Sequence, residues 1–557
     1  MKTVLLLASV MTIAGFANAK NSSRFLVTFK SQQGFAAMQT YLNQESNSGI
    51  KFQKSLVNLN SVVLKSATPQ ALASLANHPE VAMVEAEKFT PRPSPVNGFK
   101  PMRVVQTKRY SPNFAGTVDL SKPEDNATPV FAVGEKTPWG IKAVHAGEAW
   151  AGSQAGANAR VLVLDTGIDA EHQDLKANFE KGMNFTEDDM GNVDETDFKD
   201  VEGHGSHCSG TIAAAYNAET GFTGVAPKAH LLMGRVCSAE GCSNIAVAQG
   251  INWGITEKVD VISMSLGGSM PTSAERLAVQ RADAAGVVVV AASGNDGTPK
   301  VSYPGAFPTV VAVGAIDATI KKTDFSQWGP ELDVVAPGAA VISTVPRGSG
   351  RDSSVTLTIG GVTKTVLSAA FSGTTLIPTA ISNQMVFAGL GKPTDFVGAN
   401  VAGKFALINR GEITFVEKVK NALAAKAVGV IIINNVAGVM QGVASEGADV
   451  NVPVVMIEKS VGLELVAAIA QGEVTASVAT TPSDYAMFDG TSMATPHVAG
   501  VVALIRSANK NLTPAQVREI LATTSQAFSP ELNTQNQYGK GLVQADKAVE
   551  AALALAH

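Results

Sequence analysis

From Trp139 the chain alternates short, continuous aliphatic runs with longer Ala-rich stretches of helical spacing. Val161–Leu164, Leu231–Val236, Val259–Met264, Val287–Ala292 and Thr309–Val313 have the length and β-branched content of strands buried on both faces. They predict an α/β domain built on a doubly wound, mainly parallel sheet. The pattern breaks near Val345, where Gly/Ser/Thr-rich, hairpin-like sequence begins. A strand-helix-strand run follows at Lys404–Asn409, Phe415–Lys426 and Gly429–Asn434, and the main pattern returns at Tyr485. Residues 346–483 are too many for a loop, so an inserted domain is expected within one domain made of 138–345 and 484–557.

The front of the chain has a different rhythm. Phe25, Val27 and Phe29 alternate like a half-buried strand, a helical stretch covers Gly34–Leu42, and Ile50–Leu56 and Val62–Leu64 read as strands. Thr68 followed by Pro69 is an N-cap and first-turn pair for a helix through Asn77, and Val81–Val84 closes the unit. The order is βαββαβ, placed in residues 20–89. Residues 90–137 turn Pro-rich and basic, then irregular, and read as a linker. Before all of this, Lys2, the apolar stretch Val4–Phe16 and Ala17-Asn18-Ala19 have the form of an export signal over residues 1–19, predicting a secreted protein. A buried N-terminal helix is the competing reading. The later apolar runs have strand length, so no membrane anchor is expected.

Composition narrows this picture. A chain of 557 residues with 45% apolar and 16% charged side chains is globular, with length for three to four domains, and global disorder is excluded. Its net charge of −5 is unevenly placed. Residues 20–110 carry +8, and residues 111–557 carry −14. A basic arm for nucleic acid is rejected because the basic residues stand singly among apolar strands.

Three segments carry chemistry. Val161-Leu-Val-Leu-Asp165-Thr-Gly167 ends a strand on a carboxylate, Gly203-His204-Gly205-Ser206-His207 opens a helix, and Gly490-Thr-Ser492-Met-Ala-Thr-Pro496 opens another. Strand C-termini and helix N-termini line the ligand crevice of a doubly wound sheet, so the three can meet there. A serine hydroxyl attacks well only when an imidazole takes its proton and a carboxylate orients that imidazole. Ser492, His204 and Asp165 fit these parts. Asn295, with the Ser492 backbone N–H, can serve the oxyanion. An aspartic protease reading of Asp165-Thr-Gly167 fails for want of a second such motif. His207 is expected to be structural, and His497 to pack or hydrogen-bond locally.

These residues resemble the subtilisin-like serine proteases, peptidase family S8. The resemblance runs over Trp139–Val345 and Tyr485–Ala551 through Asp165-Thr-Gly, His204-Gly-Ser-His207, Ser265-Leu-Gly-Gly268, Ala292-Ser-Gly-Asn295, Tyr303-Pro304-Gly305 and Gly490-Thr-Ser-Met-Ala-Thr-Pro-His497. It implies a serine endopeptidase acting through an acyl-enzyme on protein or peptide substrates, with no cofactor needed for the chemistry. Substrate would pair with Ser265, Leu266 and Gly267 on one side and Ala292, Ser293 and Gly294 on the other. Ser302 would lie near the base of the specificity pocket. It is small and neutral, so apolar P1 residues are expected. A noncatalytic protein-binding scaffold of the same fold is the contrasting reading, and a serine-directed fluorophosphonate discriminates the two.

The resemblance extends outward. Residues 20–89 are similar to the inhibitory, chaperone-like prodomain of this family (inhibitor I9 type), which implies a zymogen that cuts its own linker between Tyr110 and Thr137. The charge split would then favour docking of that prodomain. Residues 346–483 resemble a protease-associated (PA) domain that positions substrates or restricts access. The enzyme is expected to be a monomer. Cys237 and Cys242 bracket a surface-like Ser-Ala-Glu-Gly and are expected to form a disulfide, whereas Cys208, one helical turn from His204, is expected to be a buried thiol. A zinc site at His204, His207 and Cys208 is rejected, because the triad already uses His204. Structural calcium is allowed by the resemblance at Asp174 and Asn217.

Overall fold

The computed structural model describes residues 24–44, 50–91, 137–188, 190–200, 202–218, 221–435, 439–445 and 447–556. The expected export signal at 1–19 lies outside the described residues, as does nearly all of the Tyr110–Thr137 stretch.

The central sheet has seven parallel strands in the order Val334–Pro337, Val310–Ile316, Val288–Ala292, Val261–Met264, Arg160–Asp165, His230–Arg235 and Phe179–Asn184. Five match the aliphatic runs of the sequence; Val334–Pro337 and Phe179–Asn184 extend the sheet at its two edges. Strand alternation sorts the side chains into two cores. Val161, Val163, Val288 and Val290 face one layer, and Leu162, Leu164, Val289 and Ala291 face the other.

The first layer contains the helix Thr491–Ala508, buried from Thr491 to Ser507, which runs beneath the strands. The second is made by the helices Asn244–Thr256 and Ser273–Ala284. Each of those two begins with a side-chain cap: Ser243 accepts from Ile245 N and Ala246 N, both at 3.2 Å, and Thr272 from Glu275 N.

Residues 24–86 form a four-stranded antiparallel sheet, ordered Ile50–Leu56, Ser61–Ala67, Phe25–Phe29, Val81–Ala86, with helices Gln32–Gln44 and Pro69–Ala76. The βαββαβ order read from the sequence is present. Leu26, Leu56, Leu59 and Val63 join the second core layer, so this sheet seats on the two helices. Polar contacts tie it there. Asn58 pairs with Asn252, and Glu85 accepts from Ser273 N and Ala274 N at the start of the second helix. Lys54 pairs with Glu195, and Lys65 donates to the Gly191 carbonyl. The basic face thus meets the acidic loop Glu187–Glu195.

The strands Val341–Thr344 and Tyr485–Phe488 pair antiparallel and bring the two ends of the intervening segment together. That segment builds its own eight-stranded sheet with two apolar cores.

Candidate active site

Asp165 ends its strand fully buried, with Oδ1 2.8 Å from His204 Nδ1 and accepting from Thr166 N at 2.7 Å. His204 is the first residue of the helix His204–Ala213. Two side chains fix that helix start. The Asp200 carboxylate accepts from Gly203 N and Ser206 N, both at 2.8 Å, and Thr166 Oγ1 accepts from Gly205 N at 2.9 Å. The approach is close enough to require glycine at 205, where a Cβ would lie 2.1 Å from the Gly167 carbonyl oxygen.

His204 Nε2 is buried and has no hydrogen-bond partner among the described residues. The Ser492 hydroxyl donates instead to the Ser265 carbonyl at 3.0 Å. The sequence brings Asp165 and His204 into contact here, while the serine-to-imidazole bond is not formed. Cys208 Sγ marks how near the two lie, 3.8 Å from His204 Nδ1 and 3.5 Å from the Ser492 carbonyl oxygen. Cys208 is a buried free thiol whose pKa is raised by burial. Asp165, His204 and Cys208 come within 4.8 Å of one another, but His204 Nδ1 is committed to the carboxylate. Burial disfavours the imidazolium. The neighbouring Asp165 charge outweighs that and holds His204 well above its ordinary value.

Asn295 is oriented by Thr491, whose backbone N–H and hydroxyl donate to Asn295 Oδ1 at 2.9 and 2.8 Å. The amide nitrogen is thereby left for another acceptor. A Cβ placed on Gly490 would lie 3.6 Å from both Asn295 Nδ2 and Ser492 N, so these two donors border the same small space. Both are N–H donors, the type of group an oxyanion needs.

The channel walls are held by backbone bonds. Gly268 and Tyr303 exchange hydrogen bonds at 2.8 and 2.9 Å, and Ser302 N donates to the Ser293 carbonyl at 2.8 Å. Gly267, beside Ser265 and Leu266, approaches the Tyr303 carbonyl and Ser302 Cβ. Gly294, which follows Ala292 and Ser293, abuts Gln327 Oε1 and Ser302 Oγ. Ser302 and Gln327 thus put neutral polar groups beside Gly267 and Gly294, and the sequence reading missed Gln327.

It also missed a third wall. The strand Gly241–Ser243 pairs antiparallel with Phe89–Thr90, Cys242 opposite Thr90 and Ser243 opposite Phe89. Thr90 touches Gly268 from the other side, where an added Cβ would meet Thr90 Cγ2 at 2.6 Å. Thr90, at the end of the βαββαβ unit, is thus held between Gly241–Ser243 and Gly268.

His207 and His497 sit apart from this chemistry. His207 lies 3.0 Å from the Val341 carbonyl oxygen, stacks on Phe488 and is lowered by burial to about 3. His497 lies 2.8 Å from the Met493 carbonyl oxygen and is lowered by burial to about 4. Cys237 and Cys242 form a disulfide. The residues at which the resemblance allows calcium are tied to protein donors. Asp174 Oδ1 accepts from Asn217 Nδ2 at 3.0 Å, and Oδ2 accepts from the Tyr485 hydroxyl. The Gly221 and Asn217 carbonyls are likewise taken, by Thr137 Oγ1 and Gly221 N.

A family model described as the subtilase family (peptidase S8) matches residues 156–541, and the chain belongs to that family. It is 44% identical over 216 residues to the major intracellular serine protease of Bacillus subtilis (strain 168), covering 38% of this chain and 67% of that one. With subtilisin E of the same organism it shares 37% over 231 residues, covering 41% and 58%. Among solved structures, the psychrophilic subtilisin-like protease Apa1 from Pseudoalteromonas sp. AS-11 superposes with a TM-score of 0.58 at 30% identity, over 75% of this chain and 99% of that chain. The fold is subtilisin-like, and the protein is a serine endopeptidase of the subtilase type. No helix among the described residues is long and apolar enough to cross a membrane.

Proposed function

We propose that this chain is an exported endopeptidase, made as a self-processed zymogen, that cleaves proteins after apolar residues with Asp165, His204 and Ser492. The Ser492 hydroxyl turns from Ser265 to His204 Nε2, gives it the proton and attacks the scissile carbonyl. The oxyanion is received by Asn295 Nδ2 and Ser492 N. His204 then protonates the leaving amine, and a water deprotonated by the same nitrogen releases the acyl group from Ser492. The observation that carries this reading is the convergence of the two donors beside a buried Asp165–His204 pair.

Residues 24–91 act as prodomain and inhibitor. The seating of Phe89–Thr90 in the channel supports a first cut within a few residues after Pro91, nearer than the Tyr110–Thr137 stretch expected from sequence. The neutral base at Ser302 and Gln327 supports an apolar P1 preference. The 346–483 segment acts as a protease-associated domain that positions protein substrates. Its Gln441 contacts Met487 N, close to the Ser492 helix. The enzyme works as a monomer.

A fluorophosphonate tests the mechanism. It should label the wild type at Ser492, label His204→Ala far more slowly, and leave Ser492→Ala unlabelled and uncut as a precursor. Labelling that His204→Ala does not slow would sink the triad; a pure Ser492→Ala precursor that still matures would sink self-processing.

A further inference from the structure

The Cys237–Cys242 disulfide lies within the third wall of the channel. Cys242 is the middle residue of Gly241–Ser243, the strand whose outer edge carries Phe89–Thr90. Cys237 is its register partner on the inner side, and only two residue pairs, Gly241 with Ser238 and Cys242 with Cys237, hold that hairpin. A hairpin this short is marginal alone. The disulfide joins the two strands across their pairing register.

Both ends of the hairpin are fixed to other parts of the site. Val236, just before Cys237, donates its N–H to the Asp165 carbonyl at 2.9 Å, and Ser243, just after Cys242, caps the helix Asn244–Thr256. Between those anchors the docked chain comes very close. A Cβ on Gly241, at φ +127°, would lie 2.2 Å from the Thr90 carbonyl oxygen, and the Thr90 hydroxyl donates to the Cys242 carbonyl at 3.3 Å. The edge therefore offers backbone groups to any extended peptide laid along it. As a global staple the bond is poorly placed, because the loop that it closes is short.

We propose that the Cys237–Cys242 disulfide is a positioning element for substrate. It holds Gly241–Ser243 as a rigid pairing edge for residues N-terminal to the scissile bond, and so sets KM for extended substrates while leaving the chemical step alone. The proposal rests on the mechanism above and deepens it. Rigidity matters because a loose edge must be ordered at each binding event. The same edge holds the prodomain strand, so prodomain affinity should depend on the bond as well.

The test uses mature enzyme in two forms: the Cys237→Ser/Cys242→Ser double variant, and wild type treated with a phosphine reductant under native conditions, with thiols counted by alkylation and mass. Two probes are compared, a succinyl-tetrapeptide p-nitroanilide with apolar P1 and acetyl-tyrosine ethyl ester, which cannot reach the edge. Loss of about 1.4 kcal/mol of binding corresponds to a tenfold rise in KM for the tetrapeptide. Its kcat and both ester parameters should stay within about twofold, the pattern expected when only ground-state binding is removed. Equal losses on ester and tetrapeptide would assign the bond to folding, and an unchanged tetrapeptide KM with two new thiols would overturn the proposal. A failure of the triad itself would appear separately, as loss of ester turnover in the untreated wild type.

Discussion

Pro496 stands four residues after Ser492 in the same helix and frees the serine's carbonyl from the helical ladder. A proline has no N–H to give to the residue four positions back. The Ser492 carbonyl accepts instead from Ser265 Oγ at 2.8 Å and from Cys208 Sγ at 3.5 Å. The nucleophile's backbone is therefore held by the substrate wall and by the helix that carries His204. Its own hydroxyl returns to the Ser265 carbonyl. Ser265 thus both donates to and accepts from the nucleophile residue.

Ser265→Ala should lower kcat by about three- to tenfold, the effect of losing a hydrogen bond worth about 0.5–1.5 kcal/mol where it positions the nucleophile. KM for a tetrapeptide should change less than twofold, because the wall pairs through its backbone. Steady-state kinetics with a matched fluorophosphonate labelling rate check this. An unchanged kcat would show that Cys208 and packing suffice.

The His204 titration gives a second expectation. Burial lowers its affinity for a proton, and Asp165 more than restores it, so the imidazolium is favoured above the ordinary value of 6.5. The stabilisation from this ion pair is complete below the ordinary value and is lost as pH rises through the raised one. Acylation needs the neutral imidazole, so kcat/KM should climb with pH along an acid limb centred above 6.5. Asp165→Asn should move that limb down and reduce kcat by about 10⁴-fold, the loss seen when such an imidazole takes the wrong tautomer. A limb centred below 6.5 in the wild type would contradict the coupling.

How legible the site was depended on what kind of residue each member is. Asp165, His204 and Ser492 sit where strands end and helices begin, positions that periodicity marks well. Asp200 is a helix-start acceptor and Gln327 an amide beside Gly294 and Ser302; neither lies in a periodic pattern, so nothing in the sequence singled them out. Gly241–Ser243 is too short to alternate, and its role appears only when Phe89–Thr90 is seen beside it. The strand Phe179–Asn184, with Glu180, Lys181 and Gly182 in its middle, lacks the aliphatic run of its neighbours because it is a sheet edge.

A third expectation concerns release of the 24–91 unit. Glu275 is buried in the first turn of Ser273–Ala284, where Glu85 caps the same helix. Burial raises its carboxyl to about 7; the Thr272 hydroxyl opposes this, the Glu85 charge adds to it, and Lys88 offsets part. The Glu85 contribution exists only while the unit is docked, and it outweighs that of Lys88, so Glu275 holds its proton more tightly in the complex and docking weakens as pH rises through about 7. Ki for the isolated segment should therefore rise between pH 5 and 8, and Glu275→Gln should flatten that rise. A slope unchanged by Glu275→Gln would place the dependence elsewhere.

The Asp174–Tyr485 contact supplies the last. In this chain the Tyr485 hydroxyl closes one carboxylate oxygen and Asn217 the other, while burial and Asp174 push the hydroxyl's pKa well above its ordinary range. The ring also packs edge-on against Phe222 and His172. Tyr485→Phe keeps those ring contacts and removes only the donor, leaving Asp174, which is 3% exposed, short of a partner. That loss costs about 1–3 kcal/mol. It should lower Tm by several degrees, and the deprived carboxylate should become responsive to calcium, which would restore part of the loss. Chelation should leave the wild-type Tm unchanged if protein donors already satisfy this carboxylate. A wild type that melts several degrees lower in chelator, with Tyr485→Phe showing no further response to calcium, would mean that a cation competes with the tyrosine for Asp174.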